Sequence, residues 1–168
     1  MGTRRKAILV ALVVVGALTL FVCAGAIAAD SPPIAVSVSA TIPSTIQLTM
    51  PTTSVTWGAA VPGTVMTSDI TASVNSNKAW SLKVTKNHDL QNVGETQTIL
   101  SSNFKFTATA PPGGTGTLTA TEFGTGVTVV AGVHGSGMGT TISYSLNVPW
   151  DQEPDTYLAT HTYTATQP

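Results

Sequence analysis

Along most of the chain, apolar and polar residues alternate in short runs. Ile34, Val36 and Val38 alternate with Ala35, Ser37 and Ser39, and Ile46, Leu48 and Met50 with Gln47 and Thr49. A period of two marks a strand with one buried face. Ile70, Ala72 and Val74 oppose Thr71 and Ser73; after Asn75-Ser76-Asn77 the pattern resumes with Trp80, Leu82 and Val84. That pair predicts either a hairpin or a connection that crosses between sheets. Phe104 and Phe106 flank Lys105, Val127 and Val129 flank Thr128, and Ile142, Tyr144, Leu146 and Val148 form the longest alternation. Tyr157, Ala159, His161, Tyr163 and Ala165 share one parity, which predicts a final strand. No segment beyond residue 30 carries a helical period.

Turn formers fall between these runs, at Pro43, Pro51, Pro62-Gly63, Pro111-Pro112-Gly113-Gly114, Gly124, Gly132, Gly135, Gly137, Gly139, Pro149 and Pro154. Short strands punctuated in this way predict an all-β fold. The expected form is a single antiparallel, Ig-like or Greek-key β-sandwich of about seven to nine strands, with a barrel as the less favoured arrangement.

The first 29 residues follow a different rule. Arg4, Arg5 and Lys6 precede an uncharged apolar run from Ala7, which ends in Ala26-Ile27-Ala28-Ala29. Cations, apolar stretch and small-residue end form a secretory signal, cleaved after Ala28 or Ala29. The run is also long enough to span a bilayer, so retention as an N-terminal anchor is the alternative. Lipidation at Cys23 is disfavoured, because Leu20-Phe21-Val22 supplies no small residue before it. In each case the cations stay inside and the rest of the chain lies outside. The expected organisation is residues 1–29 as signal or anchor and residues 30–168 as one extracellular domain, with any membrane contact confined to residues 7–29.

Removing the signal leaves 168 − 29 = 139 residues, enough for one domain with a real core. The chain's single cysteine leaves with it, so no internal disulfide or thiolate metal site is available. Four lysines then stand against eight carboxylates, a net charge of −4, with no basic patch for nucleic acid. Surface polarity comes mainly from Thr, Ser and Asn, which suit strands and turns.

Candidate chemistry is sparse. His88 lies in a polar turn, His134 in a Gly-rich stretch and His161 within the last strand, and no motif pairs them. His134-Gly135-Ser136-Gly137 lacks the Gly-x-Ser-x-Gly pattern and a strand-turn-helix setting, so a loop is expected rather than a hydrolase site. Asp151, Glu153 and Asp155 place three carboxylates in a short turn, the type of donor Ca²⁺ takes, but match no EF-hand spacing. The favoured reading there is a turn rigidified by Pro154 in which Asp155 bonds backbone amides. No cofactor and no enzymatic activity are expected.

The stretch Lys78-Ala79-Trp80-Ser81-Leu82-Lys83-Val84, after an Asn-rich turn, resembles the first W-x-L motif of WxL domains, which bind bacterial cell walls. At the place of that family's second motif stands Tyr163-Thr164-Ala165-Thr166-Gln167-Pro168, with Tyr163 for Trp and Ala165 for Leu. Val55-Thr56-Trp57-Gly58, Val61-Pro62-Gly63 and Pro154-Asp155-Thr156-Tyr157 are similar to turns of secreted sandwich proteins, including spore coat U-like and pilin-like ones. The resemblance implies a secreted, non-enzymatic cell-surface protein that binds wall polymers or other surface proteins. Trp80 and Leu82, two residues apart, equally fit a shared inward face in the core. Trp57 and Trp150, beside turns, are either plugs at strand ends or rings for stacking on sugar. The alternative function is a subunit of a surface fibre, pilus-like or surface-layer assembly, in which residues 31–39 pair with a neighbour's sheet edge.

Overall fold

The computed structural model describes residues 30–168. The predicted signal lies outside the described residues. The chain divides into two units, Met1–Ala40 and Thr41–Pro168. The second is built from twelve strands: β1 (Ile46–Thr49), β2 (Val65–Ser76), β3 (Trp80–Lys86), β4 (Leu90–Asn92), β5 (Thr98–Ile99), β6 (Phe104–Ala108), β7 (Thr115–Gly116), β8 (Thr121–Glu122), β9 (Val127–Gly132), β10 (Gly135–Asn147), β11 (Tyr157–Leu158) and β12 (His161–Thr166). A single turn of 3₁₀ helix, Ser101–Asn103, precedes β6, and the described residues contain no α-helix.

The strands form three antiparallel sheets, ordered β1-β2-β10-β6-β8, β12-β3-β9-β7 and β11-β4-β5. Asn75-Ser76-Asn77 does not close a hairpin: β2 and β3 belong to different sheets, so the chain crosses from one layer to the other. The turn between β9 and β10 crosses back. Asn77 holds the first crossing by accepting from the Thr45 amide at 2.9 Å and donating to the Pro43 carbonyl at 2.7 Å.

The inward rows of the two larger sheets meet in one core. Ile70, Ala72 and Val74 of β2, Ile142, Tyr144 and Leu146 of β10, and Phe104 and Phe106 of β6 join Trp80, Leu82 and Val84 of β3. Each large aliphatic or aromatic side chain removed from water there contributes about 1.5–3 kcal/mol. Trp80 is 2% exposed and donates its indole N–H to the Val133 carbonyl at 2.9 Å. Gly132 makes room for it, since a Cβ at that position would sit 2.4 Å from the ring.

Proline decides where β1 stops. Pro51 has no N–H to donate, so the ladder with β2 runs only from Ile46↔Ser76 to Thr49↔Ser73. β10 covers the opposite edge of β2 down to Val65. The result is a long strand paired along nearly all of one edge and along only four residues of the other.

Three expectations are corrected. Residues 34–38 form no strand: Asp30–Ala40 has no assigned secondary structure, and Ile34, Val36 and Val38 are 88%, 80% and 89% exposed. Alternation supplied the face, but among the described residues no strand pairs with this segment. Gly135, Gly137 and Gly139 do not form a loop; they lie inside β10, where a register shift between Gly135 and Met138 and a φ of 64° at Gly137 absorb the irregularity. Residues 157–165 are not one strand, because β11 pairs with β4 and β12 with β3. The Asn87 amide donates to the Thr160 carbonyl and the Thr160 amide to the Asn87 side chain, pinning the break.

Candidate functional site

β2 and β10 run antiparallel, so the part of β2 that β1 does not pair, Val65 to Ala72, lies beside the C-terminal part of β10, where Leu146 opposes Met66 and Tyr144 opposes Ser68. At this end of the fold is a cavity of about 900 Å³. Its floor is apolar and aromatic, with Ile70, Leu146, Phe104 and Tyr144 from one sheet and His161 and Tyr163 from another. One wall is the segment 52–60, and the other is the turn and strand 152–159.

The wall made by residues 52–60 is held to the core by side chains. Val55 and Trp57, two residues apart and so on one face of an extended chain, pack against the core. Trp57 meets the Phe104 ring edge-on at 5.6 Å and Tyr144 at 6.5 Å. Its indole nitrogen is buried without a hydrogen-bond partner. Leaving such a group unpaired costs about 1–3 kcal/mol. Among the described residues, no backbone–backbone hydrogen bond outside the strand ladders involves residues 51–60, whereas Gly63, just beyond, donates to the Val148 carbonyl.

Tyr144 and Tyr163 link the two layers through a hydroxyl–hydroxyl hydrogen bond of 2.6 Å. Burial pushes both phenols above their ordinary range, and for Tyr163 the neighbouring Tyr144 adds to the shift. His161 lies against Phe123, with ring centroids 3.9 Å apart, and stacks on Tyr144 at 5.7 Å. Burial, reinforced by the positive charge of Lys86, brings its pKa down to about 4, so the ring is neutral at pH 7. Its Nε2 is buried without a partner and its Nδ1 is 3.4 Å from the Tyr144 hydroxyl. Lys86 is itself paired with Asp89, and both bond Ser101. Burial opposes ionisation of Asp89, but the hydrogen bonds from Lys86 and Ser101, with the charge of Lys86, prevail and hold the carboxyl below its usual range.

The remaining sequence candidates fall at separate places. Trp80 and Leu82 are fully within the core, near the end of the fold marked by the β9–β10 turn. Trp150 is 81% exposed, its indole lying over Gly63. Asp155 accepts from Asn92 at 2.9 Å and from the Thr156 amide at 2.7 Å, and these bonds lower its pKa. Glu153 offers only its carbonyl, to the Tyr157 hydroxyl, which also accepts from Gln152. Asp151 makes no such bond, and among the described residues no three metal-ligating side chains form a group that could hold an ion.

Sequence reading missed the cavity itself and the parts played by Phe104, Phe123 and Tyr144. The available signal was the concentration of inward aromatic positions in the runs that became β6 and β10. Comparison with known proteins finds no matching family and no similar curated protein.

Proposed function

We propose that this protein is a secreted, non-enzymatic structural subunit of a cell surface, with an Ig-like β-sandwich whose copies join by strand addition. The observation that carries this reading is the segment around Ile34, Val36 and Val38. Its three apolar side chains occupy alternate positions, as in a strand with one buried face, yet all are at least 80% exposed. None of the three belongs to the hydrophobic core of the second unit. An exposed segment with strand-like alternation suits the donor half of a strand-addition contact.

The test uses the protein as secreted by an expressing bacterium. Concentrated protein forms ordered polymers visible by electron microscopy, and Val36→Asp abolishes them while shifting stability by no more than about 0.5 kcal/mol, as expected for an exposed position. A monomer at all concentrations overturns the proposal.

A second reading, binding to wall polymers, draws on the exposure of Trp150 and on the resemblance of the Trp80-Ser81-Leu82 region to WxL domains. The core position of Trp80 and Leu82 favours the packing explanation of that motif. Trp150 offers an aromatic face on which a sugar ring can stack. Sedimentation of monomeric protein with purified cell walls, lost in Trp150→Ala, supports this reading over the first.

A further inference from the structure

The geometry points to the acceptor for that donor: the uncovered edge of β2 from Val65 to Ala72 and the cavity beside it, filled by residues 34–38 of a second copy of this chain. The inference rests on the strand-addition reading and names its binding site, together with a device that guards it. Among the described residues, β1 pairs only with Ser73–Ser76, so the backbone from Val65 to Ala72 has no ladder partner on the side facing away from β10. Eight residues span about 26 Å of strand, room for a six-residue partner. Ile70 of that edge, with Leu146 and Phe104 behind it, floors the cavity. A strand laid there with Ile34, Val36 and Val38 inward places three apolar side chains about 6.6 Å apart over this floor.

Chain length selects a second copy over the same one. Asn77 holds Pro43 at the far end of β2. For a chain's own Val38 to reach the level of Ala72 it must descend five positions in five residues, fully extended along a straight line. β1 already occupies that line, paired with Ser73–Ser76. No slack remains to pass around it.

Val55 and Trp57 line the cavity beside this edge in the free subunit, with Trp57 lying against Phe104 and Tyr144. Three features make them displaceable: no hydrogen bond of the backbone of residues 51–60 to neighbouring backbone outside the ladders, an indole N–H buried without a partner, and anchorage through two side chains. A strand that brings its own amides to β2 adds ladder bonds that this segment does not make. The segment therefore acts as a plug, exchanged for the incoming strand.

The experiment mixes two secreted populations in a Cys23→Ser background, one carrying Val36→Cys and the other Ser68→Cys. Ser68 lies on the inward row of β2 with Met66 and Ile70. Under mild oxidation a disulfide-linked heterodimer forms, whereas Thr71→Cys, on the outward row, gives none. Trp57→Ala speeds the cross-link at least about tenfold, equivalent to 1.4 kcal/mol of plug binding. Val55→Ser does the same to a smaller degree, and near-UV dichroism of Trp80 verifies that each variant is folded. Equal cross-linking at Ser68 and Thr71, or rates unchanged by both plug variants, overturns the assignment even where polymers form. Disulfide closure within a single chain bearing both Val36→Cys and Ser68→Cys, without heterodimers, overturns the second-copy occupant. Absence of any association overturns the strand-addition reading beneath it.

Discussion

His161 is the residue whose chemistry its surroundings change most measurably. Its ring sits among Phe104, Phe123 and Tyr144, where a positive charge is poorly solvated and Lys86 repels it. The unfolded chain binds a proton near the ordinary pKa of 6.5, whereas the folded chain resists until about 4. Stability is therefore complete above about pH 6.5 and falls as the pH drops toward 4, because the unfolded state gains the proton first. After discounting for the part of the ring that reaches water, the loss amounts to about 2 kcal/mol. Urea unfolding at pH 7 and pH 4.5 measures it, and His161→Phe removes that slope while Asp89 and Asp155, whose pKa values lie lower, remain ionised. Parity in the sequence put His161 on the same side as Tyr157 and Tyr163, and all three line the cavity. It could not reveal the Phe123 contact, since Phe123 belongs to no alternating run.

At the scale of elements, proline and glycine had opposite legibility. Pro51 marks a boundary in sequence and structure alike, with the further effect that eight residues of β2 lack a ladder partner on one edge. Pro51→Thr restores the missing donor and lets β1 continue along β2, each added ladder bond contributing about 0.5–1.5 kcal/mol. The expected result is slower amide exchange from Ala72 toward Val65 in the monomer, with polymer formation suppressed because the acceptor is filled from within. Hydrogen exchange read by mass spectrometry checks the first part and electron microscopy the second. Glycines misled where they mark a bulge rather than a loop, as in β10, because a bulge keeps the strand going while breaking its pattern. The β3–β9 ladder carries a similar irregularity: Leu82 faces Val130 and Lys83 faces Thr128, leaving Val129 extra. Val129 and Val130 are then both buried, which alternation alone does not anticipate.

For the molecule as a whole, period-two alternation made the all-β class readable, and eight of the twelve strands are three residues or longer. Pairing order was not readable, because nothing local tells Ser81 that it will lie opposite Thr166, 85 residues away, or that β11 will leave the sheet of β12. The cavity was hidden for the same reason: its lining comes from seven separate stretches of chain. Cohesion over such separations comes from burial and ladder bonds, since one cysteine cannot form an internal disulfide. Thermal unfolding curves of the monomer with and without reductant should accordingly superimpose, and a midpoint lowered by reductant would reveal cross-linking between copies. The β2 edge left without a ladder partner has a last consequence. In the strand-addition contact proposed above, donor and acceptor are different surfaces of the chain, so each contact joins unlike patches. An assembly built this way has direction, with unlike ends, and its length is open unless a terminating partner occupies one of them.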